Sequence, residues 1–349
     1  MKVLVTGAAG FIGFHTVCRL AERGDEVVGL DNLNDYYAVE LKQARLAEAG
    51  IILPPPASTE TAEAVFAESS RWENYRFVRA DLVDKGLLDG LFAAERFDAV
   101  IHLAAQAGVR YSIEHPYAYI RSNIEGFLNI LEGCRHFPMR HLVYASSSSV
   151  YGLNDKIPYA ERDMTDRPVS LYAATKKSNE LMAHAYSKLY GIPATGLRFF
   201  TVYGPWGRPD MAPSLFLGSI LAGEPVRVFN HGEMFRDFTY IDDIVTGICA
   251  VLAKPPARNA EGVAAAVYNI GNGQPVALLD FIEAVERAAG RKAVKELLPM
   301  QPGDVYRTYA DTSALEQEFG YRPSTPLQTG VDRFCTWYKR YHGYGVSTL

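Results

Sequence analysis

Short apolar, β-branched runs alternate with segments of helical periodicity through the first two hundred residues of the chain. The predicted strands are Lys2–Thr6, Glu26–Leu30, Arg76–Arg79, Ala99–Leu103, His141–Ala145 and Ala194–Phe199. The predicted helices between them are Phe11–Arg23, Asp35–Ala49, Lys85–Ala94, Tyr117–Cys134 and Leu171–Leu189. Continuously apolar strands are buried on both faces, as in a parallel sheet covered by helices. The alternation therefore predicts an α/β fold built on a doubly wound parallel sheet.

The pattern loosens from about Gly204 into prolines, glycines and shorter elements, which predicts a smaller C-terminal α/β lobe. Its predicted helices are Pro213–Ala222, Asp242–Ala253, Leu278–Ala289 and Thr312–Phe319. We expect residues 1–203 to form the first lobe, with a strand and a helix returning to it from about 237–255, and residues 204–349 to form the second. The proline-rich stretch Ile51–Ser70 is predicted to be an insertion with at most one short helix.

Composition excludes several classes of protein. With 48% hydrophobic and 21% charged residues, the chain lies in the globular range. A net charge of -5 argues against nucleic acid or an anionic membrane as a partner. The N-terminus lacks the apolar stretch of a signal peptide, and a cytoplasmic protein is predicted. No cysteine and histidine cluster has metal-ligand spacing, so no metal site is predicted and free thiols are expected at Cys18, Cys134, Cys249 and Cys335.

A run of glycines follows the first predicted strand directly. Gly7, Gly10 and Gly13 form a G-x-x-G-x-x-G turn that opens a helix, where a Cβ would obstruct the approach of a pyrophosphate to backbone N–H groups. The second strand leads into Asp31, where an acidic side chain is expected to bind a dinucleotide ribose. This placement predicts a Rossmann dinucleotide site. The Asp31 carboxylate favours NAD over NADP, because it would repel a 2′-phosphate.

A serine-rich segment and a tyrosine–lysine pair predict a proton-transfer site. The fifth strand leads into Ser146–Gly152, and Tyr172 and Lys176 share one face of a predicted helix. A phenol, whose pKa is about 10, acts as a base near neutrality only where cations stabilise the phenolate. Lys176 and an oxidised nicotinamide ring would both do so. His102, at the end of an apolar strand, is instead predicted to be a hydrogen-bonded core residue.

Together with the segment Arg198–Pro205, these motifs resemble extended short-chain dehydrogenase/reductases that act on nucleotide sugars. The resemblance covers essentially the whole chain. Within it, the longer segments Asp31–Tyr37, Gly207–Met211 and Val228–Asp243 are similar to those of UDP-glucuronate 4-epimerases. The insertion Ile51–Ser70 departs from that pattern.

The resemblance implies a mechanism. Tyr172 would remove the C4 hydroxyl proton while hydride passes to NAD⁺, and the transient 4-keto sugar would be reduced on its other face. Ser147 would bind the C4 oxygen, with Ser148 and Ser149 near C5 and C6. Sugar 4,6-dehydratases carry an Asp-Glu pair at those two positions, and UDP-glucuronate decarboxylases usually carry a glutamate before Val-Tyr-Gly. Serines there favour epimerisation, and with Thr201 they would hold a sugar carboxylate in a geometry that resists loss of CO₂.

The resemblance also implies contact residues. The residues expected to contact NAD are Gly7, Gly10, Phe11, Ile12, Gly13, Asp31, Asn32, Asp81, Leu82, Leu103, Ala104, Ala105, Gln106, Asn123, Tyr172, Lys176 and Phe199. Those expected to contact the nucleotide sugar are Ser147, Ser148, Ser149, Thr201, Arg208, Arg236, Arg307 and Asp304. Arg236 and Arg307 match arginines on the diphosphate and uridine side, Arg208 is the candidate for carboxylate or phosphate, and Asp304 for the uridine ribose.

The sequence thus predicts an NAD-dependent epimerase that converts UDP-glucuronate to UDP-galacturonate, with Tyr172, Lys176 and Ser147 as catalytic residues. Epimerisation of a neutral UDP-hexose and decarboxylation of UDP-glucuronate remain open as alternatives, and a non-catalytic dinucleotide sensor is a more distant one. The family resemblance also suggests a homodimer, formed through the helices predicted at Tyr117–Cys134 and Leu171–Leu189.

Overall fold

The structure, a computed structural model, describes residues 1–54, 65–300 and 306–344. The chain forms two compact units. The first unit comprises residues 1–152, 164–198 and 245–268, and the second comprises residues 153–163, 199–244 and 269–349. Residues 153–163 and 199–203 thus belong to the second unit, whereas the sequence-based division placed them in the first lobe.

The strands in chain order are β1 Lys2–Thr6, β2 Glu26–Asp31, β3 Val65–Glu68, β4 Tyr75–Arg79, β5 Ala99–His102, β6 His141–Ser147, β7 Ala194–Phe199, β8 Thr201–Tyr203, β9 Pro225–Val228, β10 Phe235–Tyr240, β11 Ala265–Ile270, β12 Pro275–Ala277, β13 Val294–Leu297 and β14 Arg307–Thr308. The α-helices are α1 Phe11–Glu22, α2 Val39–Glu48, α3 Lys85–Glu95, α4 Tyr111–Glu114, α5 Pro116–Tyr119, α6 Gly126–His136, α7 Leu171–Tyr190, α8 Ala212–Ala222, α9 Ile241–Ala253, α10 Leu278–Ala289, α11 Ser313–Phe319 and α12 Leu327–Tyr341.

Within the described residues, the main sheet has eight strands in the spatial order β11-β7-β6-β5-β1-β2-β4-β3. Strand β1 pairs in parallel with β2 and β5, β2 pairs in parallel with β4, and β5 with β6. The carboxyl ends of these strands therefore lie along one edge, where a doubly wound sheet binds its ligands. The predicted α/β sheet is confirmed.

Apolar side chains on both faces of the strands explain why this sheet is stable. Residues Val3, Leu4 and Val5 of β1 are fully buried, and Leu4 packs in a cluster with Phe92 of α3 and Phe127 of α6. Burial of large apolar side chains contributes roughly 1.5–3 kcal/mol each. This core fixes the strand ends that carry the candidate site.

The second unit contains the smaller α/β lobe that the sequence predicts. Strand β10 pairs with β12, β14 and β8, and β13 pairs in parallel with β9. Helix α12 was not predicted, although Val331, Phe334 and Cys335 follow helical spacing and are buried.

The prediction for the insertion Ile51–Ser70 was wrong where the structure describes it. Val65–Glu68 forms strand β3, which pairs antiparallel with β4 at the sheet edge. Valine and phenylalanine favour strands, and the edge of β4 offers the hydrogen-bonding groups for pairing. Residues 55–64 lie outside the described part of the chain.

Two helix predictions also need correction. The helix expected from Asp35 begins at Val39, because the side chains of Asp31, Asn32 and Asn34 each accept a hydrogen bond from the backbone N–H two residues ahead. These bonds hold the segment in turns. The single helix expected over Tyr117–Cys134 is interrupted by a π-helical turn at Ile120–Glu125, which separates α5 from α6.

Candidate active site

The glycine turn after β1 is closely packed at all three glycines. A Cβ on Gly7 would lie 2.8 Å from the Ala104 nitrogen, and Gly7 has a φ of +73°. A Cβ on Gly10 or Gly13 would lie 2.9 Å or 2.0 Å, respectively, from the Gly7 carbonyl oxygen. Gly10 is the N-cap of α1 and, having no side chain, leaves the first N–H groups of the helix open to a ligand. The turn fits the pyrophosphate of a dinucleotide.

Asp31, at the carboxyl end of β2, is buried and orders the adjacent turns. Its carboxylate oxygens accept hydrogen bonds from the backbone N–H of Ala9 at 3.1 Å and of Leu33 at 2.8 Å. Each oxygen keeps a further lone pair, so the carboxylate can also accept a ribose hydroxyl. The Asn32 amide donates to Asp81 Oδ2 at 3.4 Å, which brings two more predicted cofactor residues together.

Two buried cations that sequence reasoning missed hold this segment. The Arg45 guanidinium is fully buried and donates to the Ala9 carbonyl at 2.9 Å and to the Tyr37 hydroxyl at 2.7 Å. Lys42 Nζ donates to the backbone oxygen of Asn34 at 2.6 Å. Both lie on α2 and connect it to the segments that precede it. No short motif marks them. Lys42 binds Asn34 and Arg45 binds Tyr37, each eight residues earlier, and Arg45 also binds the more distant Ala9.

The segment after β5 is fixed by Thr6 and Asn123. The Ala104 N–H donates to Thr6 Oγ1 at 3.2 Å. The Gln106 N–H donates to Asn123 Oδ1 at 2.7 Å, and the Asn123 amide donates to the Gln106 carbonyl at 3.0 Å and to Thr175 Oγ1 at 3.1 Å. Asn123 belongs to the π-helical turn, so this irregular turn connects the segment after β5 to α7.

The remaining residues predicted for NAD lie at the same strand ends. Phe11 and Ile12 begin α1, Leu82 follows β4, Leu103 and Ala105 follow β5, and Phe199 ends β7. Phe11, Leu82 and Phe199 are buried.

His102 is a core residue, as predicted. It is buried, and its Nδ1 lies 2.9 Å from Thr6 Oγ1. Burial and the charge of Lys176 lower the pKa of His102 to about 3. The imidazole is therefore neutral at physiological pH, and it supports the strand end without titrating.

Helix α7 carries Tyr172 and Lys176 one turn apart. The helix begins after Ser170, whose hydroxyl accepts a hydrogen bond from the Ala173 N–H at 3.1 Å, and it ends at the left-handed Gly191. The Tyr172 ring contacts that of Tyr119 edge-on at 6.0 Å.

Lys176 is almost completely buried, with 2% exposure, and its Nζ donates to the Ala145 carbonyl of β6 at 3.0 Å. Burial lowers the pKa of Lys176 to about 8, so the ammonium remains mostly charged at neutral pH but gives up its proton more easily than an ordinary lysine. In general, an ammonium close to a phenol favours the phenolate form of that phenol.

Residues Ser147–Ser149, here called the serine turn, pass from the end of β6 into a 3₁₀ turn at Ser148–Tyr151. Ser147 Oγ accepts hydrogen bonds from the Ser149 N–H at 3.2 Å and from the Ser149 hydroxyl at 2.9 Å. The predicted serines are thus gathered at the strand end next to Ala145, to which Lys176 binds.

The second unit holds the predicted arginines. Arg208 forms an ion pair with Asp210, and Arg236 Nη1 donates to the backbone oxygens of Phe235 at 2.8 Å and Tyr306 at 3.2 Å. Arg307 lies opposite Phe235 in the pairing of β14 with β10, and its guanidinium stacks on the Phe235 ring at 5.0 Å. Because successive residues of a strand project from opposite faces, Arg236 and Arg307 lie on opposite faces of this strand pair. The buried Nε of Arg307 has no hydrogen-bond partner among the described residues.

Thr201 begins β8 and lies opposite Phe238 of β10. Asp304 falls outside the described residues, so its predicted role in ribose binding stays a prediction.

The described residues hold neither a metal-binding cluster nor a membrane-spanning helix. Within them no group of three or more His, Cys, Asp or Glu side chains is arranged to hold a metal ion. No helix in those ranges is both long and apolar enough to cross a membrane. The four cysteines are free, and the cytoplasmic location remains a prediction.

The parallel sheet, with the glycine turn at its strand ends, is that of a nucleotide-binding α/β protein, and α7 places a phenol one turn from a buried ammonium. The sequence matches the NAD dependent epimerase/dehydratase family over residues 3–271, and the chain belongs to that family.

Relatives and solved structures extend over the whole chain. It is 45% identical to a probable UDP-glucuronate 4-epimerase of Rhizobium meliloti, over 100% of both chains. It is 48% identical to UDP-glucuronate 4-epimerase 4 of Arabidopsis thaliana, over 98% of this chain and 76% of the plant protein. The crystal structure of UDP-glucuronic acid 4-epimerase from Bacillus cereus in complex with UDP-glucuronic acid and NAD matches with a TM-score of 0.84. That match covers 98% of this chain and 100% of the other at 33% identity.

Proposed function

We propose that the protein is an NAD-dependent epimerase that inverts C4 of UDP-glucuronate to give UDP-galacturonate. The observation that carries the proposal is the serine turn, which presents hydroxyl groups alone at the strand end next to the residue that Lys176 binds. A carboxylate base for elimination or decarboxylation is missing from Ser147–Ser149 itself. The relatives named UDP-glucuronate 4-epimerase support the same activity.

Bound NAD would supply a reversible hydride acceptor for C4. The glycine turn would hold its pyrophosphate, and Asp31 would hold its adenine-side ribose. On the protein side, Tyr172 accepts the proton of the C4 hydroxyl and later returns it, while the Lys176 ammonium favours the phenolate. Ser147 donates a hydrogen bond to the C4 oxygen.

The uronate carboxylate and the diphosphate need cationic or hydroxyl partners. Arg236 and Arg307 are the candidates for the diphosphate and uridine side. They project from opposite faces of the β10–β14 pair, so they would not converge on one phosphate group. Ser148, Ser149 and Thr201 would bind the carboxylate. Arg208 can contribute only if its ion pair with Asp210 exchanges for the substrate anion.

The test is to incubate the purified protein separately with UDP-glucuronate and with UDP-glucose and to resolve the nucleotide sugars by chromatography. We expect UDP-galacturonate from the uronate, without CO₂. Tyr172→Phe should lower kcat by about 10²–10⁴-fold, because general base catalysis is lost. Tyr190→Phe, at the end of the same helix, is the matched control and should keep wild-type activity.

Other products would overturn the assignment. Turnover of UDP-glucose with the uronate untouched would indicate a neutral-sugar epimerase. One CO₂ per substrate consumed would indicate a decarboxylase. Bound dinucleotide without turnover of either sugar would indicate a sensor.

We also propose that the protein forms a homodimer through α6 and α7. Apolar side chains are exposed on this part of the first unit, among them Leu181 with 59% and Leu189 with 68% exposure, two turns apart on α7. Leu128 of α6 is exposed as well. Exposed apolar patches on helices are typical of protein interfaces.

A further inference from the structure

A buried ion pair lies behind the serine turn and has no part in the mechanism above. Arg198 of β7 donates from Nε to Glu180 Oε1 and from Nη2 to Glu180 Oε2, both at 2.8 Å. Glu180 of α7 has 6% exposure and Arg198 has 3%. This two-point geometry fixes both the distance and the relative orientation of the two side chains.

The pair is bonded to the chain on both sides of the serine turn. On one side, the Ser146 hydroxyl donates to Glu180 Oε1 at 2.7 Å. On the other side, Arg198 Nη1 donates to the Tyr151 hydroxyl at 3.0 Å, and the guanidinium lies over the Tyr151 ring at 4.9 Å. Ser146 directly precedes the serine turn, and Tyr151 follows it two residues later.

Glu180 also continues the face of α7 that carries the proton-transfer pair. Tyr172, Lys176 and Glu180 are spaced four residues apart, so they lie along one side of the helix. Lys176 binds the Ala145 carbonyl, and Glu180 binds the neighbouring Ser146. The helix that presents Tyr172 is therefore attached to the strand that presents the serine turn at two successive residues.

Stability alone does not account for such a pair. Removing two charges from water costs free energy that their attraction does not reliably recover, and apolar replacements are often as stable or more so. The hydrogen bonds to Ser146 and Tyr151, however, are directional and end next to residues that touch substrate in the proposed reaction. An apolar cluster could not supply that directionality.

We propose that Glu180 and Arg198 are positioning residues, which act through Ser146 and Tyr151 to hold the serine turn at a fixed place relative to Tyr172. The inference rests on the proposed function. The fixed turn keeps the sugar carboxylate in an orientation that resists decarboxylation after oxidation at C4. In a loosened turn, the C5–C6 bond breaks and CO₂ leaves. The electron pair passes through C5 to the C4 oxygen as an enolate, C5 then takes a proton from water, and the hydride stays on the dinucleotide.

The test uses Ser146→Ala and Tyr151→Phe, each of which removes one hydroxyl and leaves both bonds between Glu180 and Arg198. In the holoenzyme we expect kcat for epimerisation to fall about 10- to 100-fold, with KM for UDP-glucuronate changed less than about threefold. CO₂ released per UDP-galacturonate formed should rise at least about tenfold. A merely structural role would not move this product ratio.

The matched controls remove buried hydrogen bonds from the same elements away from the serine turn. Thr195→Val removes the contact of Thr195 Oγ1 with His141 Nε2 at 2.9 Å. Both residues lie at the N-terminal ends of their strands, β7 and β6, away from the serine turn. Ser187→Ala removes the hydrogen bond from the Ala264 N–H at 2.9 Å, on α7. Both should lower the melting temperature while keeping the wild-type kcat and product ratio.

The outcomes separate the two proposals. If Ser146→Ala and Tyr151→Phe behave like the controls while wild-type enzyme epimerises UDP-glucuronate, the positioning role is overturned and the proposed function stands. If wild-type enzyme does not epimerise UDP-glucuronate, both are overturned.

Discussion

At the scale of single residues, the space available for one Cβ atom decides whether the backbone can form the glycine turn proposed to bind NAD. Gly13 lies in the first turn of α1, where alanine would be the favoured helix residue. The Gly7 carbonyl oxygen, 2.0 Å from a Cβ at that position, excludes it. Gly90 in α3 is also helical, but a Cβ there would meet nothing within 4 Å. The two glycines differ only in the atoms packed around them, and the sequence alone does not reveal that packing.

Gly13→Ala should therefore displace the turn and reduce NAD retention at least tenfold, measured as dinucleotide released per chain on denaturing the purified protein. Gly90→Ala is the matched control. It should retain wild-type NAD and raise the free energy of unfolding by about 0.5–1 kcal/mol, because alanine restricts the unfolded chain. Wild-type NAD content in Gly13→Ala would contradict the proposed role of the turn.

At the scale of elements, strand β13 depends on one carboxylate for its attachment to α10. All residues of β13 are exposed. Glu286 of α10 is buried and accepts hydrogen bonds from Lys292 Nζ at 2.7 Å, from Lys295 Nζ at 2.6 Å and from the Ala293 N–H at 3.1 Å. Burial by itself would raise the pKa of Glu286, but these hydrogen bonds outweigh it and lower the pKa to about 2.

A lowered folded-state pKa gives a defined pH window. The unfolded Glu286 takes up its proton near pH 4.5 and the folded one near 2, so its stabilising contribution is complete above about 4.5 and is lost as the pH falls to about 2. Glu286→Gln should be less stable than wild type at pH 7, and the difference should shrink across that window in urea titrations. Glu283→Gln, at an exposed position of the same helix, is the matched control for the loss of one carboxylate. A constant difference for Glu286→Gln would argue against this account.

At the scale of the whole molecule, the exposed apolar residues of α6 and α7 predict association. Wild-type protein should have about twice the 38.6 kDa mass of one chain by light scattering after gel filtration. Leu181→Glu with Leu189→Glu should shift it to the monomer, because charges in an apolar interface are costly to desolvate. Leu215→Glu, on an exposed position of α8, is the control and should stay dimeric. A wild-type monomer at micromolar concentration would rule out the dimer.

Many helices and strands of the first unit could be predicted, because the residues that favour and end them are close together in the sequence. Helix α7 was predicted at Leu171–Leu189 and ends at Tyr190, since Ser170 and Gly191 mark its ends in the sequence. The π-helical turn at Ile120–Glu125 was not predicted, and Asn123 within it is hydrogen-bonded to Gln106 and Thr175, partners that the local sequence does not reveal. Arg45 and Glu180 were not predicted as buried charges for the same reason. Their burial is evident only from contacts with residues distant in sequence, Ala9 and Arg198 respectively.

The sequence by itself determined the βαβ order, the glycine turn, Asp31 and the Tyr172–Lys176 spacing, because periodicity and motif chemistry act over a few neighbouring residues. Only the tertiary structure decided which charged side chains are buried and which groups they contact. Glu180 meets Arg198, and Arg45 meets Ala9, only after strands and helices have packed. Burial, and the shift of the Lys176 pKa that follows from it, is a property of packing and not of any one segment.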